Sequence, residues 1–378
     1  MTKFAKAAVA LAAAGALALT GCGGGRAAET PAPAPEQSGT AAPGTEAPSA
    51  GFPADSVIGV ALPQKTSENW VLAEGLFNEK LAEAGFTPMV QFANGGVTEQ
   101  QNQIQAMIEK GAKVLVVGSI DGSQLGTQLA AAREAGIPVI AYERLLTNTP
   151  DVDFYVTFDN FKIGQKQGEA LLQGLEKRRG DKDKWNIEII AGSPDDNNAV
   201  VFYQGAMDIL QPKIDDGTLT VVSGQTTFEQ VNTQGWKAEN AQKRMDTLLS
   251  GFYQDKELDG ILSPNDTLAR AAMAATDAAG KDLPVVTGQD SEVESVKSVV
   301  AGLQYSTIFK DTNVVVSSTI GFVQDLQQGK PLVPNDTESY FNGVITVPSY
   351  LNDTVLVTQE NAAEAYANDA VLGPLTKG

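Results

Sequence analysis

The stretch KVLVVGSIDGSQLGTQLAAAREAGIPVIAYERLL, residues 113–146, decides the fold. It opens on the unbroken apolar run KVLVVGS (113–119). Helical spacing follows over Ser123–Ala135, and a second apolar run, IPVIAY, occupies 137–142. A short continuous apolar run bounded by turn residues reads as a strand buried on both faces. Strand, helix, strand in that order reads as a parallel crossover unit. Glu143 and Arg144 then stand side by side at the end of the core strand. A solvated ion pair at the strand end would explain them. So would a bound molecule that needs a fixed acceptor beside a fixed donor fork.

The same alternation extends outward in both directions. VIGVAL (57–62), a helix over Trp70–Ala84, MVQFA (89–93) and a helix over Thr98–Lys110 precede the stretch. DFYVTF (153–158) comes after it. A second series then begins with a helix over Ile163–Leu175, NIEIIAG (186–192) and a helix over Ala199–Ile214. It continues with LTVVSG (219–224), a helix over Trp236–Leu249, DGILSP (259–264), a helix over Leu268–Ala278 and PVVTGQD (284–290). A helix over Glu292–Val300, YSTIF (305–309), a helix over Thr312–Gln328 and GVITVPSY (343–350) complete it. Two such series predict an α/β protein of two doubly wound, parallel-sheet lobes.

Composition narrows the function. The chain has 378 residues, a formal net charge of −19 and no His. An acidic chain is a poor partner for nucleic acid, whose binding rests on Lys and Arg against phosphate. Lacking His removes the commonest general base and the commonest metal ligand. The single Cys, Cys22, comes after a basic start (Lys3, Lys6), a short apolar run (Ala7–Ala18) and Leu19-Thr20-Gly21. Such a run is too short to span a bilayer and reads as a signal-peptide core. The Leu-Thr-Gly-Cys ending resembles a bacterial lipobox, which predicts lipidation at Cys22 after removal of residues 1–21. The Gly-, Pro-, Ala- and Glu-rich segment up to residue 54 reads as a tether. The globular part is therefore expected from Asp55 onward, outside the cytoplasm and lipid-anchored to the cell membrane.

In doubly wound sheets, ligands bind beyond the carboxyl ends of the strands. The residues just past each strand therefore form the candidate site: Asn69 and Trp70, then Glu143 and Arg144, in the first series. In the second come Asp196, Asn198, Trp236, Asn265, Asp290 and Lys310, with Gln289 preceding Asp290. Carboxylates and amides that accept, Arg and Lys that donate, and indoles that stack suit a polyol such as a sugar. Capping would equally explain Asp196-Asn197-Asn198. Trp185, just before a strand, is expected in the core. No nucleophile–base pair, phosphate loop or calcium-loop spacing stands among these residues, so no enzyme activity, metal or cofactor is expected.

The motifs GSPDDNNA (192–199), FDNFKIG (158–164), AYERLL (141–146), SPND (263–266), PVVTGQDSEVESVKSVVAGLQYSTIFKDT (284–312) and VPSYL (347–351) carry a resemblance. The chain resembles the periplasmic sugar-binding proteins of ABC transporters, ribose/xylose type, and within them those that bind several monosaccharides. The likeness covers roughly residues 55–360. It implies a type I periplasmic binding protein, with an N-terminal lobe of 55–157 plus 311–346 and a C-terminal lobe of 158–310 plus 347–378. Three crossovers would form the hinge. It also implies one bound aldopentose or aldohexose, such as xylose, glucose, galactose or arabinose. The site would be Asn69, Trp70, Glu143, Arg144, Asp196, Asn198, Trp236, Asn265, Asp290 and Lys310. The partners would be an ABC permease with its ATPase, and the protein would be a monomer. The xylose-type pattern has Asp-Arg where this chain has Glu143-Arg144, and Arg where it has Asn69. Rival readings are a sugar or autoinducer receptor feeding a sensor kinase, a glycoside-processing enzyme, and a transcriptional regulator that shares the lobes.

Overall fold

The computed structural model describes residues 51–65, 67–180 and 182–377. Cys22, the leader and most of the expected tether lie outside these residues. The first series folds as β1 (Val57–Leu62), α1 (Glu68–Glu83), β2 (Thr87–Phe92), α2 (Val97–Glu109), β3 (Val114–Val117), α3 (Gly126–Glu134), β4 (Val139–Tyr142) and β5 (Phe154–Phe158). The second begins with α4 (Asn160–Arg179), β6 (Trp185–Ile189), α5 (Asn197–Asp215), β7 (Leu219–Val221) and α6 (Phe228–Val231). After a 3₁₀ turn at Gln234–Trp236 come α7 (Ala238–Phe252), β8 (Gly260–Leu262), α8 (Asp266–Ala278), β9 (Val285–Val286), α9 (Val293–Val300) and β10 (Ser306–Phe309). The chain then adds α10 (Thr312–Gln327), β11 (Ser349–Asn352), β12 (Val355–Thr358) and α11 (Ala362–Ala365).

The first sheet has the order β11-β5-β4-β3-β1-β2, with every pairing parallel. β3 and β4, the two apolar runs of residues 113–146, are buried along their whole length, as helices on both faces require. The second sheet has the parallel order β7-β6-β8-β9. β10 runs beside β9, where Tyr305 N–H donates to the Val286 carbonyl at 3.0 Å and Asp290 N–H to the Ile308 carbonyl at 2.9 Å. Strand order reverses between β1 and β3 in one sheet and between β6 and β8 in the other. Each reversal opens a crevice at the carboxyl ends.

Two expectations at the end of the chain need correction. GVITVPSY (343–350) is a strand only from Ser349. Gly343 takes φ 99°, and Asn342 Oδ1 accepts from the N–H of both Val344 and Ile345, a turn that prevents earlier pairing. The strand that does form, β11, pairs with β5 in the first sheet, so the chain leaves that sheet after Asn352 rather than before Val347. β12, whose apolar run Val355-Leu356-Val357 is short, pairs antiparallel with β10 in a separate two-stranded sheet, a strand the sequence reading did not include. Trp185 sits in the core packed around β6, as expected.

Candidate functional site

All ten residues picked from the strand ends line one cleft of about 360 Å³, together with Ser67, Phe202 and Gln289. Elements of both sheets contribute. From the first come Asn69 and Trp70 in the first turn of α1, and Glu143 and Arg144 past β4. From the second come Asp196 and Asn198 at the start of α5, Trp236 in the 3₁₀ turn, Asn265 before α8, Asp290 past β9 and Lys310 past β10.

Glu143 and Arg144 are buried, 6% and 7% exposed, so they are not a solvated pair at a strand end. Each instead reaches a partner that stands past a strand of the other sheet. Glu143 Oε1 lies 2.7 Å from Lys310 Nζ, and Arg144 Nε lies 3.0 Å from Asp196 Oδ2. Glu143 takes φ 65°, a left-handed conformation that costs a non-glycine residue roughly 1–2 kcal/mol. Its carbonyl shows what holds it there. It accepts from Tyr155 OH at 2.8 Å, Thr157 Oγ1 at 3.0 Å and Asn198 Nδ2 at 2.7 Å. The Arg144 fork is fixed by donating through Nη1 to the Ser119 carbonyl at 3.1 Å.

On the other side, Asp196 divides its carboxylate. Oδ1 caps α5 by accepting from Asn198 N–H at 2.9 Å, while Oδ2 faces Arg144 and accepts from Trp236 Nε1 at 3.2 Å. Capping and site roles therefore coexist in one side chain. Burial pushes the Asp196 carboxyl above its ordinary pKa; Arg144 pulls it back and Glu143 adds to the rise. Lys310 also contacts Asp290 Oδ1 at 3.0 Å. Burial alone would lower the Lys310 pKa, but the carboxylates of Asp290 and Glu143 outweigh it and hold the ammonium above the ordinary lysine value. Asn265 caps α8 through Oδ1, which accepts from Leu268 N–H at 3.0 Å.

The two indoles each rest on a glycine at a strand end. A Cβ on Gly118, past β3, would stand 3.1 Å from Trp70 Cζ3, and one on Gly192, past β6, would overlap the six-membered ring of Trp236. Trp236 does not open the following helix as its spacing suggested. It ends the 3₁₀ turn at φ 54°, and α7 starts at Ala238.

Not every lining group is open to a ligand in the same way. The Asn198 amide is engaged by protein, donating to Glu143 and accepting from Asn160 Nδ2 at 3.0 Å and Tyr155 OH at 3.1 Å. Gln289, which precedes the candidate Asp290 without being one itself, is buried with Oε1 unpartnered among the described residues. A buried acceptor without a partner costs about 1–3 kcal/mol, so a ligand hydroxyl there would relieve a penalty. Periodicity places Phe202 only in a helix interior. The signal that could have found it is its position one turn beyond Asn198, on the same face of α5. Ser67 precedes α1 and donates to the Asn69 side chain. The cleft thus offers Glu143, Asp196 and Asp290 against Arg144 and Lys310, already paired, between aromatic rings.

Comparison with known proteins places this geometry. Residues 58–331 match the periplasmic binding protein domain. The chain is 45% identical over 316 residues to the multiple sugar-binding periplasmic receptor ChvE of Rhizobium radiobacter, covering 82% of this chain and 89% of that protein. It is 32% identical over 313 residues to the D-xylose-binding periplasmic protein of Escherichia coli, again covering 82% and 89%. An ABC transporter solute-binding protein from Clostridium phytofermentans, solved with β-D-glucose bound, superposes with a TM-score of 0.81 at 40% identity. That match covers 85% of this chain and 100% of the other.

Proposed function

The chain belongs to the periplasmic binding protein family, and from that premise we propose that its cleft captures one monosaccharide, an aldopentose or aldohexose, for an ABC permease and its ATPase. One observation carries the reading. Glu143 pairs with Lys310 and Arg144 with Asp196 across the cleft, Asp290 joins Lys310 from its own side, and two indoles flank these groups. Three carboxylates against two cations disfavour an anionic ligand, and the remaining lone pairs and N–H groups of these charges can meet hydroxyls. The indoles suit the apolar faces of a sugar ring.

Arg144 and Lys310 are the donors in this reading, Asp196, Asp290, Glu143 and Gln289 the acceptors, and Asn69 and Asn265 the flanking amides. Asn198 acts by positioning the Glu143 carbonyl. The reading also includes closure of the two sheets and their helices around the ligand by hinge motion. Calorimetric titration of the full chain with a panel of monosaccharides tests it. Saturable binding of at least one aldopentose or aldohexose, with the sugar recovered unaltered, is expected. Absence of binding across the panel, or chemical conversion of the sugar, overturns the reading.

The proposal extends to the anchor, supported by Cys22 directly after Leu19-Thr20-Gly21. Two acyl chains hold a protein stably at a membrane surface. Cys22→Ala should move the protein into the soluble fraction; retention on membranes would count against lipidation there.

A further inference from the structure

Phe202 stands between two cavities. It lines the cleft and also a second, apolar cavity bounded by Gln167 of α4, Ala206 of α5, Ile190 and Ala191 past β6, and Leu262 and Pro264 at the end of β8. On the measure that gives the cleft about 360 Å³, the second cavity measures about 220 Å³. A buried water needs two to four polar partners, and this cavity is poor in them. Of its polar side-chain donors, Gln167 Nε2 is already directed at the Pro264 carbonyl at 3.0 Å and the Tyr203 hydroxyl at the Thr226 carbonyl. Protein interiors pack about as densely as organic crystals, so a void directly behind a wall residue marks where the wall can yield.

The helix that carries Phe202 cannot yield in the same way. α4 and α5 touch backbone to backbone through glycines. A Cβ on Gly164 would run into the Phe202 carbonyl, and one on Gly205 into the Phe161 carbonyl. The backbone of Phe202 is therefore clamped, while its ring has space behind it. Across the cleft face, Lys310 Nζ lies 5.8 Å from the ring centroid. Lys310 is itself held between Glu143 and Asp290, so the ring is the movable part of this corner.

We propose that Phe202 is a yielding wall that sets how large a sugar the cleft admits. With its ring toward the cleft, the pocket fits a pentose. With the ring pressed back into the void, it gains room for the extra hydroxymethyl group of an aldohexose. The inference rests on the monosaccharide reading above and deepens it.

D-xylose and D-glucose, which differ by that hydroxymethyl group, are the probes. Both are titrated calorimetrically into the full chain and into its Ala206→Val and Phe202→Leu variants. Ala206→Val fills the void. It should weaken D-glucose by about tenfold or more, the scale of one carbon in a tight pocket, and change D-xylose by less than about twofold. Phe202→Leu shortens the wall and should raise the glucose-to-xylose affinity ratio. Should Ala206→Val not fold, the second variant decides alone. An equal effect on both sugars, or none, overturns the yielding wall while leaving the monosaccharide reading intact. If the unsubstituted chain binds no monosaccharide of the panel, the monosaccharide reading itself falls, and this inference with it.

Discussion

Trp70 and Trp236 come from opposite sheets to the same cleft, and they are held by different means. Trp70 lies in the first turn of the regular helix α1, edge-on to Tyr142 at 6.1 Å and beneath the Arg144 guanidinium at 5.3 Å. Trp236 sits in a left-handed conformation, its Nε1–H fixed on Asp196. Its glycine, Gly192, leaves no room for a Cβ at all, whereas Gly118 under Trp70 leaves a tight gap that a small shift would open. A wall built on regular structure can shift by a few tenths of an ångström without losing its support. A wall held by a special backbone angle, one hydrogen bond and one missing side chain cannot.

The largest expected effect lies where the charges of the two walls meet. Lys310→Met would leave Glu143 and Asp290 buried without their cation. Removing one partner of a buried ion pair costs about 3–5 kcal/mol, which urea unfolding at pH 7 would register. In the unsubstituted chain the sign is that of a raised lysine pKa. Its contribution is complete below the unfolded lysine value and is lost only as pH rises through the folded one. A urea midpoint left unchanged by Lys310→Met would mean that the acids find other partners.

Next in size comes the contrast itself. Gly192→Ala should reduce sugar affinity by about 100-fold, because overpacking costs of about 1–3 kcal/mol fall directly on the Trp236 ring. Gly118→Ala should cost less than about tenfold, as a neighbour at the edge of contact can give way. Equal losses in calorimetry would break the distinction between a tolerant and a brittle wall. Arg144→Lys ranks below Gly192→Ala, at about tenfold or 1.4 kcal/mol in affinity, with a nearly unchanged urea midpoint. A point charge cannot hold the Ser119 carbonyl, Asp196 and a ligand with one planar fork. A large stability loss with unchanged affinity would make Arg144 a structural ion pair only.

The smallest effect concerns Glu68, next to Asn69 in the helix that carries Trp70. Glu68 Oε2 accepts from Val293 N–H at 2.9 Å, joining α1 to the first turn of α9 across the cleft. An exposed contact of this kind contributes about 0.2–1 kcal/mol. Glu68→Ala should therefore speed sugar release in stopped flow by a few-fold, about threefold, without changing the ranking of sugars. A changed ranking would mean that Glu68 touches the ligand.

Much of this arrangement was legible because parallel strands advertise themselves. VLVV and VIAY are continuous apolar runs, and the residue after such a run has a fixed place at a carboxyl end. That is why Glu143, Arg144, Asp290 and Lys310 could be named, and why they meet. Local periodicity carries no such information about partners across the cleft, so the exchange of Glu143 to Lys310 and Arg144 to Asp196 was not readable. The spacing around Trp236 fits α7, and positive φ at a tryptophan leaves no mark in a hydrophobic pattern. Phe202 and the void behind it depend on the packing of α4 on α5. β12 escapes notice because its run is short and edge-placed, and β11 joins the sheet that sequence order disfavours, since neighbours in sequence usually pair.

The late arrival of β11 has a consequence in time. Asn352 Nδ2 donates to the Thr157 carbonyl at 3.0 Å across 195 residues of chain. Contacts so distant in sequence close slowly, since the loop must be gathered before it is rewarded. Until residues 349–352 dock, β5 presents an unpaired edge able to recruit strands of other chains. A nascent chain halted just short of Ser349 is therefore the aggregation-prone form of this protein, and the window for misassembly closes only when nearly the whole described sequence has emerged.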